Sequence, residues 1–375
     1  MNSMFSQTPD TVISTQTSKK FFIVPLIAFK PETSWAFGAG AVYSFKPTND
    51  YVANSPGYAS DSIAISQTNP SKIIAYTVYT LKNQFQFDAG GSVYTKDNLW
   101  YLYANFAFYR YPSSFFGIGN NTSSQNEERY TNTHPYILLH AQKNVAKNIY
   151  AGGKIFFEHT KIFDIDSGTI LFNEEIPGEE GGLNTGIGPW FTFDSRNNVN
   201  YSTKGIKAEV STVLHNQIFG SDYNYLENNI NVSYFLPVIS NHILAINGYA
   251  EFLPGSPPFN RMAELGGGER MRGNYEGRFR DKHYLTVQAE YRMPFGKFFG
   301  VHLFGGTGEV ANEFSAFSFN GLKYSFGAGG RIFIIPKDKL SLRIDYAFGS
   351  KSIYDDEKGK NVFDKGLYVT IGEAF

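Results

Sequence analysis

Leu265-Gly266-Gly267-Gly268-Glu269-Arg270-Met271-Arg272-Gly273-Asn274-Tyr275-Glu276-Gly277-Arg278-Phe279-Arg280-Asp281 is a long, basic, glycine-rich stretch with a strand pattern on each side. Before it, Ile243, Ala245, Asn247, Tyr249 and Glu251 alternate with Leu244, Ile246, Gly248, Ala250 and Phe252. After it, His283, Leu285, Val287, Ala289, Tyr291 and Met293 alternate with Tyr284, Thr286, Gln288, Glu290 and Arg292. Successive side chains of a strand point to opposite faces, so each flank separates an apolar face from a polar-containing one. An apolar outside and a watery inside are what a membrane-spanning barrel requires. A long loop between two such strands is expected to fold into the lumen.

The composition agrees. Aromatic residues make up 17% of the 375, with 35 Phe, 25 Tyr and 37 Gly. That content suits aromatic girdles at two membrane interfaces and glycines where strands bend or approach closely. A mean hydropathy of -0.28 fits a barrel, in which every second residue faces water. No run reaches the ~18 apolar residues of a membrane helix. The 33 basic and 34 acidic residues nearly cancel, which gives no electrostatic footprint for nucleic acid. The absence of cysteine is compatible with an oxidising envelope compartment.

From the C-terminus backwards, strands are expected at Gly366–Phe375, Leu340–Phe348, Gly321–Ile334, Phe299–Gly308, Lys282–Met293 and His242–Leu253. Further back they fall at Tyr223–Leu236, Gly205–Leu214, Gly181–Asp194, Asn148–Phe163, Tyr130–Lys143, Leu99–Tyr109, Gln84–Thr95, Lys72–Leu81, Tyr58–Thr68 and Trp35–Lys46. That makes sixteen, and the apolar segment Phe21–Phe29 would be a seventeenth. Because bacterial single-chain barrels use even numbers, sixteen is the expected count. The connections Ile335–Lys339 and Pro294–Lys297 are short, whereas Gly349–Asn361, Glu309–Asn320 and Pro254–Asp281 are long. This is the asymmetry of periplasmic turns and extracellular loops. The fold class is therefore all-β: an antiparallel transmembrane barrel over residues 21–375. Residues 1–20 are a short periplasmic leader without a secretory signal as the sequence stands. In the last strand Leu367, Val369, Ile371 and Phe375 form the lipid-side row, with Glu373 interrupting it at head-group depth.

Several separated blocks resemble the BamA/TamA-like superfamily of outer-membrane barrels, in particular its subgroup lacking periplasmic polypeptide-transport-associated domains. They are Pro31-Glu32-Thr33-Ser34 with Phe37-Gly38-Ala39-Gly40, Phe115-Phe116-Gly117-Ile118-Gly119-Asn120, Phe193-Asp194-Ser195-Arg196-Asn197 with Gly205, and Met271-Arg272-Gly273. Glu290-Tyr291-Arg292, Arg343-Ile344-Asp345-Tyr346-Ala347 and Gly372-Glu373-Ala374-Phe375 complete the set. The resemblance implies that Arg272, Gly273 and Tyr275 form the signature of an inward-folded loop and that Asp194 and Arg196 form a structural turn. The chain departs from the pattern twice: Asn274 precedes the aromatic Tyr275, and Gly306 stands where the family has an acid for the loop arginine. Asp345, in phase with the inward face, is the substitute acceptor, with Glu309 the alternative.

The resemblance further implies a bacterial outer-membrane location and a role in membrane biogenesis: protein insertion, polypeptide translocation or lipid handling through a lateral seam. The alternative is a passive channel or structural barrel. Expected partners are outer-membrane lipids, the barrel-assembly machinery reading Phe375 during insertion, and a periplasmic protein or a second copy; nucleic acid is not among them. No G-x-S-x-G elbow occurs, and His215, His242 and His302 stand in no catalytic signature, so an enzyme is not expected. The acidic runs Asp164-Ile165-Asp166-Ser167-Gly168 and Asp355-Asp356-Glu357-Lys358-Gly359 complete no calcium loop, and neither metal nor cofactor is expected.

Overall fold

The computed structural model describes residues 20–30, 32–45, 68–166, 170–173, 175–239, 241–355 and 359–375. Sixteen long strands form the wall. They are β1 (Lys20–Lys30), β2 (Ser34–Phe45), β3 (Ser71–Thr80), β4 (Phe85–Tyr94), β5 (Trp100–Phe115), β6 (Glu128–Ala146), β7 (Ile149–Phe163) and β8 (Gly181–Asp194). Then follow β9 (Gly205–His215), β10 (Asn224–Pro237), β11 (Ile243–Phe252), β12 (His283–Phe295), β13 (Phe299–Ala311), β14 (Lys323–Ile335), β15 (Leu340–Asp355) and β16 (Lys360–Ile371). Each pairs antiparallel with its chain neighbours, and β1 meets β16 to close the barrel. Closure brings the first and last strands together, so that neither stands alone as an edge in lipid.

Strand count and fold class follow the alternation, with one reassignment. Phe21–Phe29 belongs to a wall strand, and β2 pairs directly with β3. The segment Tyr58–Thr68 lies, apart from Thr68, outside the described residues, as does the leader up to residue 19. The turn asymmetry holds around β12 and β13, whereas most of Gly349–Asn361, expected as a long connection, is strand, with β15 running to Asp355 and β16 starting at Lys360. In the N-terminal half, however, tight turns at 32–33 and 81–84 fall at the same end of the barrel as the long loops. The faces are as the sequence pattern requires: in β12, Leu285 and Val287 are exposed to the outside while Tyr284, Thr286, Gln288, Glu290 and Arg292 are buried within.

The end of the chain departs from the expected row. β16 stops at Ile371, and Gly372 takes φ 95°, a left-handed conformation that glycine adopts without steric cost. It shifts the alternation, so Glu373 turns inward to Arg331. Phe375 packs on the cluster of Tyr201, Phe235, Ile243, Ala245 and Phe333. Neither residue lies in the lipid-facing row.

Val287 is 56% exposed on the outer face near the middle of β12. Its replacement by arginine is expected to cost ~2–4 kcal/mol of folding free energy in a bilayer, the penalty of a cation at mid-depth. Denaturant titration of folding into lipid vesicles checks this, and an unchanged stability would place Val287 away from lipid.

Candidate functional site

Between β11 and β12 the chain makes a 253–282 excursion that carries a small hairpin, Ala263–Leu265 paired with Phe279–Asp281. Leu265, Met271 and Phe279 are buried against Tyr225, Tyr284 and Val310, all inward residues of the wall. Glycines shape the tip. Gly266, Gly267, Gly273 and Gly277 have positive φ, and a Cβ on Gly273 would come within 2.4 Å of the Phe348 backbone on β15. A side chain there would push the tip off the wall.

Arg272 is 1% exposed. Its guanidinium donates to Asp345 of β15 and, at 2.9 Å, to Glu290 of β12, and it lies 3.6 Å from the centre of the Phe304 ring. Its carbonyl accepts from Ser325 Oγ at 2.5 Å. The two carboxylates belong to a larger buried network. Glu290 also accepts from Arg331 and from Arg292 Nε at 2.8 Å. Asp345 lies 3.0 Å from Arg343 Nε and 2.9 Å from His302 Nε2. Arg331 continues to Glu373 at 2.6 Å, and Arg343 donates to the Gly268 carbonyl at 3.0 Å. Four guanidinium groups thus surround three carboxylates on the inner faces of β12, β14 and β15 and the chain end. Mutual compensation is what makes so many buried charges tolerable.

Glycine makes room for this network. A Cβ on Gly329 would come within 2.3 Å of Asp345 Oδ1 and 2.4 Å of the His302 ring, and one on Gly306 within 2.8 Å of Gln288 Cβ. Position 306 therefore has no space for an acid, and Glu290 and Asp345 supply the charge instead. Glu309, the other candidate acceptor, does not reach Arg272: it accepts from Asn120 Nδ2 at 3.1 Å and Ser318 N at 3.0 Å. Glu290, His302 and Arg331 had no part in anchoring the loop in the sequence reading, and Glu373 was expected in the lipid-side row. The inward phase of Glu290 and Arg292 was its available signal.

The tip also touches both strands of the closing pair. Gly273 N donates to Tyr368 Oη at 2.8 Å and Tyr275 N to Asp364 Oδ2 at 2.9 Å, both on β16. Glu276 lies 3.7 Å from Lys30 of β1. The Tyr275 ring meets Phe116 edge-on at 5.4 Å and lies under Lys82.

Other arginines find partners outside this network. Arg270 stacks at 3.6 Å over Tyr249. Arg278 donates to Thr122 Oγ1 and O, and burial lowers its affinity for the proton because those acceptors carry no charge. Arg280 lies 3.0 Å from Glu264, whose carboxyl burial nonetheless pushes up. Arg261, outside the motif, reaches Glu158 and Glu227 on β7 and β10 at 3.8 and 3.6 Å. At the opposite end Arg196 grips Asp194 with two hydrogen bonds of 2.9 and 2.7 Å, closing the turn after β8.

These features define a sixteen-stranded transmembrane barrel with an arginine-bearing loop tied to its inner wall. The chain belongs to the Omp85 superfamily, whose domain model matches residues 52–375. Its fold is similar to that of BamA from Haemophilus ducreyi lacking POTRA domains 1–3, at a TM-score of 0.56 and 11% identity, covering 95% of this chain and 70% of that one. It is similar also to CdiB from Acinetobacter baumannii (TM-score 0.58, 11% identity) and CdiB from Escherichia coli (0.53, 11%). It covers 94% and 93% of this chain there but 60% and 63% of theirs. No protein of curated function matches the chain in sequence.

Arg272→Ala removes one guanidinium partner from each of two fully buried carboxylates and is expected to destabilise the barrel by ~3–5 kcal/mol, well beyond the ~0–1 of an exposed pair. Combined with Asp345→Asn the losses should fall short of the sum by about 0.5–3 kcal/mol. Full additivity in denaturant unfolding would separate the two residues energetically.

Proposed function

We propose that this chain works in outer-membrane biogenesis in bacteria. It would pass a client, protein or lipid, into the bilayer through a seam between β1 and β16 that the loop tip holds shut. The carrying observation is the unevenness of the wall. β1 pairs with β2 along its whole length, from Lys20 with Ser44 to Lys30 with Ser34, but with β16 at one registered position, Phe29 with Leu367. Pro25, in the middle of β1, has no N–H to donate to any neighbour, which suits a strand with one edge incompletely laddered.

The tip sits where it could govern that seam, bonded to Tyr368 and Asp364 on one side and near Lys30 on the other. In this reading Arg272 stores the closed state: releasing it would free the tip and, with it, the weakest pair of the wall. The wall from β1 at Lys20 to β16 at Ile371 acts as the barrel. Outer-membrane lipids and a periplasmic protein or second copy serve as partners. Phe375 serves as the residue read by the barrel-assembly machinery before folding, and the inward packing of the finished barrel then hides it.

Phe29→Cys with Leu367→Cys places two thiols on a directly paired position, where Cα separations of about 4.5–5.5 Å suit a disulfide. In cells that depend on this chain, oxidation of the pair is expected to deplete outer-membrane content and a reductant to restore it. A passive channel predicts the opposite, full function with the seam locked, and that result would overturn the proposal.

A further inference from the structure

The inner wall of β3 to β6, across the lumen from the arginine network, carries no comparable set of charges. It bounds a cavity of about 630 Å³, within the range of small-molecule sites. Tyr76, Gln86, Asp88, Asn105, Tyr109 and Tyr136 line it and are bonded to one another. Gln86 Nε2 donates to Tyr76 Oη at 2.8 Å and Tyr109 Oη at 3.1 Å. Tyr109 Oη in turn donates to Asp88 Oδ2 at 3.1 Å, and Asn105 Nδ2 to Asp88 Oδ1 at 2.9 Å. The Tyr109 and Tyr136 rings lie nearly parallel, 5.9 Å apart and inclined by 16°. Small residues leave the space for this arrangement: a Cβ on Gly90 would come within 2.7 Å of Asn105 Nδ2, and the fully buried Ala107 is the cross-strand partner of Tyr136.

Two features make this a site rather than packing. Asn105 is only 8% exposed, yet its Oδ1 accepts no hydrogen bond, and such orphaned buried acceptors call for an explanation. The band also continues past Tyr103 into an adjoining cavity of about 410 Å³. There His140, 7% exposed, stacks on Tyr103 and lies 4.4 Å from Trp190. Both ring nitrogens of His140 and Nε1 of Trp190 are unpaired. Aromatic faces, amides and unfilled donors and acceptors therefore run in sequence along one side of the lumen, up to a charged border where Lys154, paired with Glu227 at 2.7 Å, lies over Trp190.

We propose that this band binds a neutral oligosaccharide chain. Pyranose rings present apolar C–H faces that aromatic rings cover, and pairs of hydroxyls that a carboxylate or amide engages through both its atoms. Two lysines also line the cavity, Lys30 at the end of β1, 3.5 Å from Glu32 and 3.7 Å from Glu276, and Lys72 near the start of β3. Between them the six-residue band presents hydroxyls, amides and the Asp88 carboxyl, which already accepts from two neutral donors, and no cation of its own. An extended polypeptide, the rival ligand, would require a row of backbone partners or apolar side-chain pockets, which these residues do not form. The inference is independent of whether the seam opens.

Binding of maltohexaose, cellohexaose and chitohexaose to the full chain in detergent, followed by saturation-transfer NMR and calorimetry, tests it. At least one should bind, with ring protons in contact with protein aromatics, and Asn105→Leu and Tyr136→Ala should each weaken that binding tenfold or more. Heat-modifiable migration on gels identifies the folded variants, and Tyr103→Ala replaces either one that fails to fold. No binding by any of the three sugars, binding indifferent to the substitutions, or binding of a neutral extended peptide in preference to the sugars would overturn the proposal.

Discussion

The structure depends on burying ionised groups inside a barrel wall without leaving any of them alone. Arg272 enters the interior on a loop and meets Glu290 and Asp345, and neither acid could remain charged at that depth without guanidinium partners. Arg331 and Arg292 then tie Glu290 to Glu373, so the loop tip, three wall strands and the chain end form one electrostatic unit. A network of this kind contributes little net stability relative to apolar packing, but breaking one member is costly. That asymmetry favours one loop position over all others.

A loop held so firmly constrains the weakest part of the wall. The ladder between β1 and β16 is short, and the tip residues that follow Arg272 immediately, Gly273 and Tyr275, donate backbone N–H groups to β16. Position and chemistry are coupled here by chain length alone: the residue directly after the ion-paired arginine makes the first of these bonds. Gly273 permits it, because its φ of 95° and its closeness to the Phe348 backbone leave no place for a side chain.

Alternation made the wall legible in the sequence, since an inward or outward phase is fixed once one face must be apolar. The inward phase of Asp345 could be read from Leu342, Ile344 and Tyr346 for the same reason. Phase alone could not show that Glu290 shares the loop arginine, because contacts across a lumen depend on the barrel's curvature and on where a loop comes to rest. Nor could it place Glu373 and Phe375: a single glycine in a left-handed conformation at position 372 turns both away from the lipid-facing row. The segment Phe21–Phe29 competed with Tyr58–Thr68 for a place in the wall, a choice that local pattern leaves open and pairing of β2 with β3 decides.

Hydrogen–deuterium exchange of the folded barrel, wild type against Arg272→Ala, tests most directly whether the ion network holds the seam. Amides near the global limit exchange only on full unfolding, whereas a locally opened pair exchanges sooner. The account predicts faster exchange concentrated in Lys20–Lys30 and Lys360–Ile371, with interior pairs such as β6 with β7 protected as before. Equal acceleration around the whole barrel, or none at the seam, would contradict it.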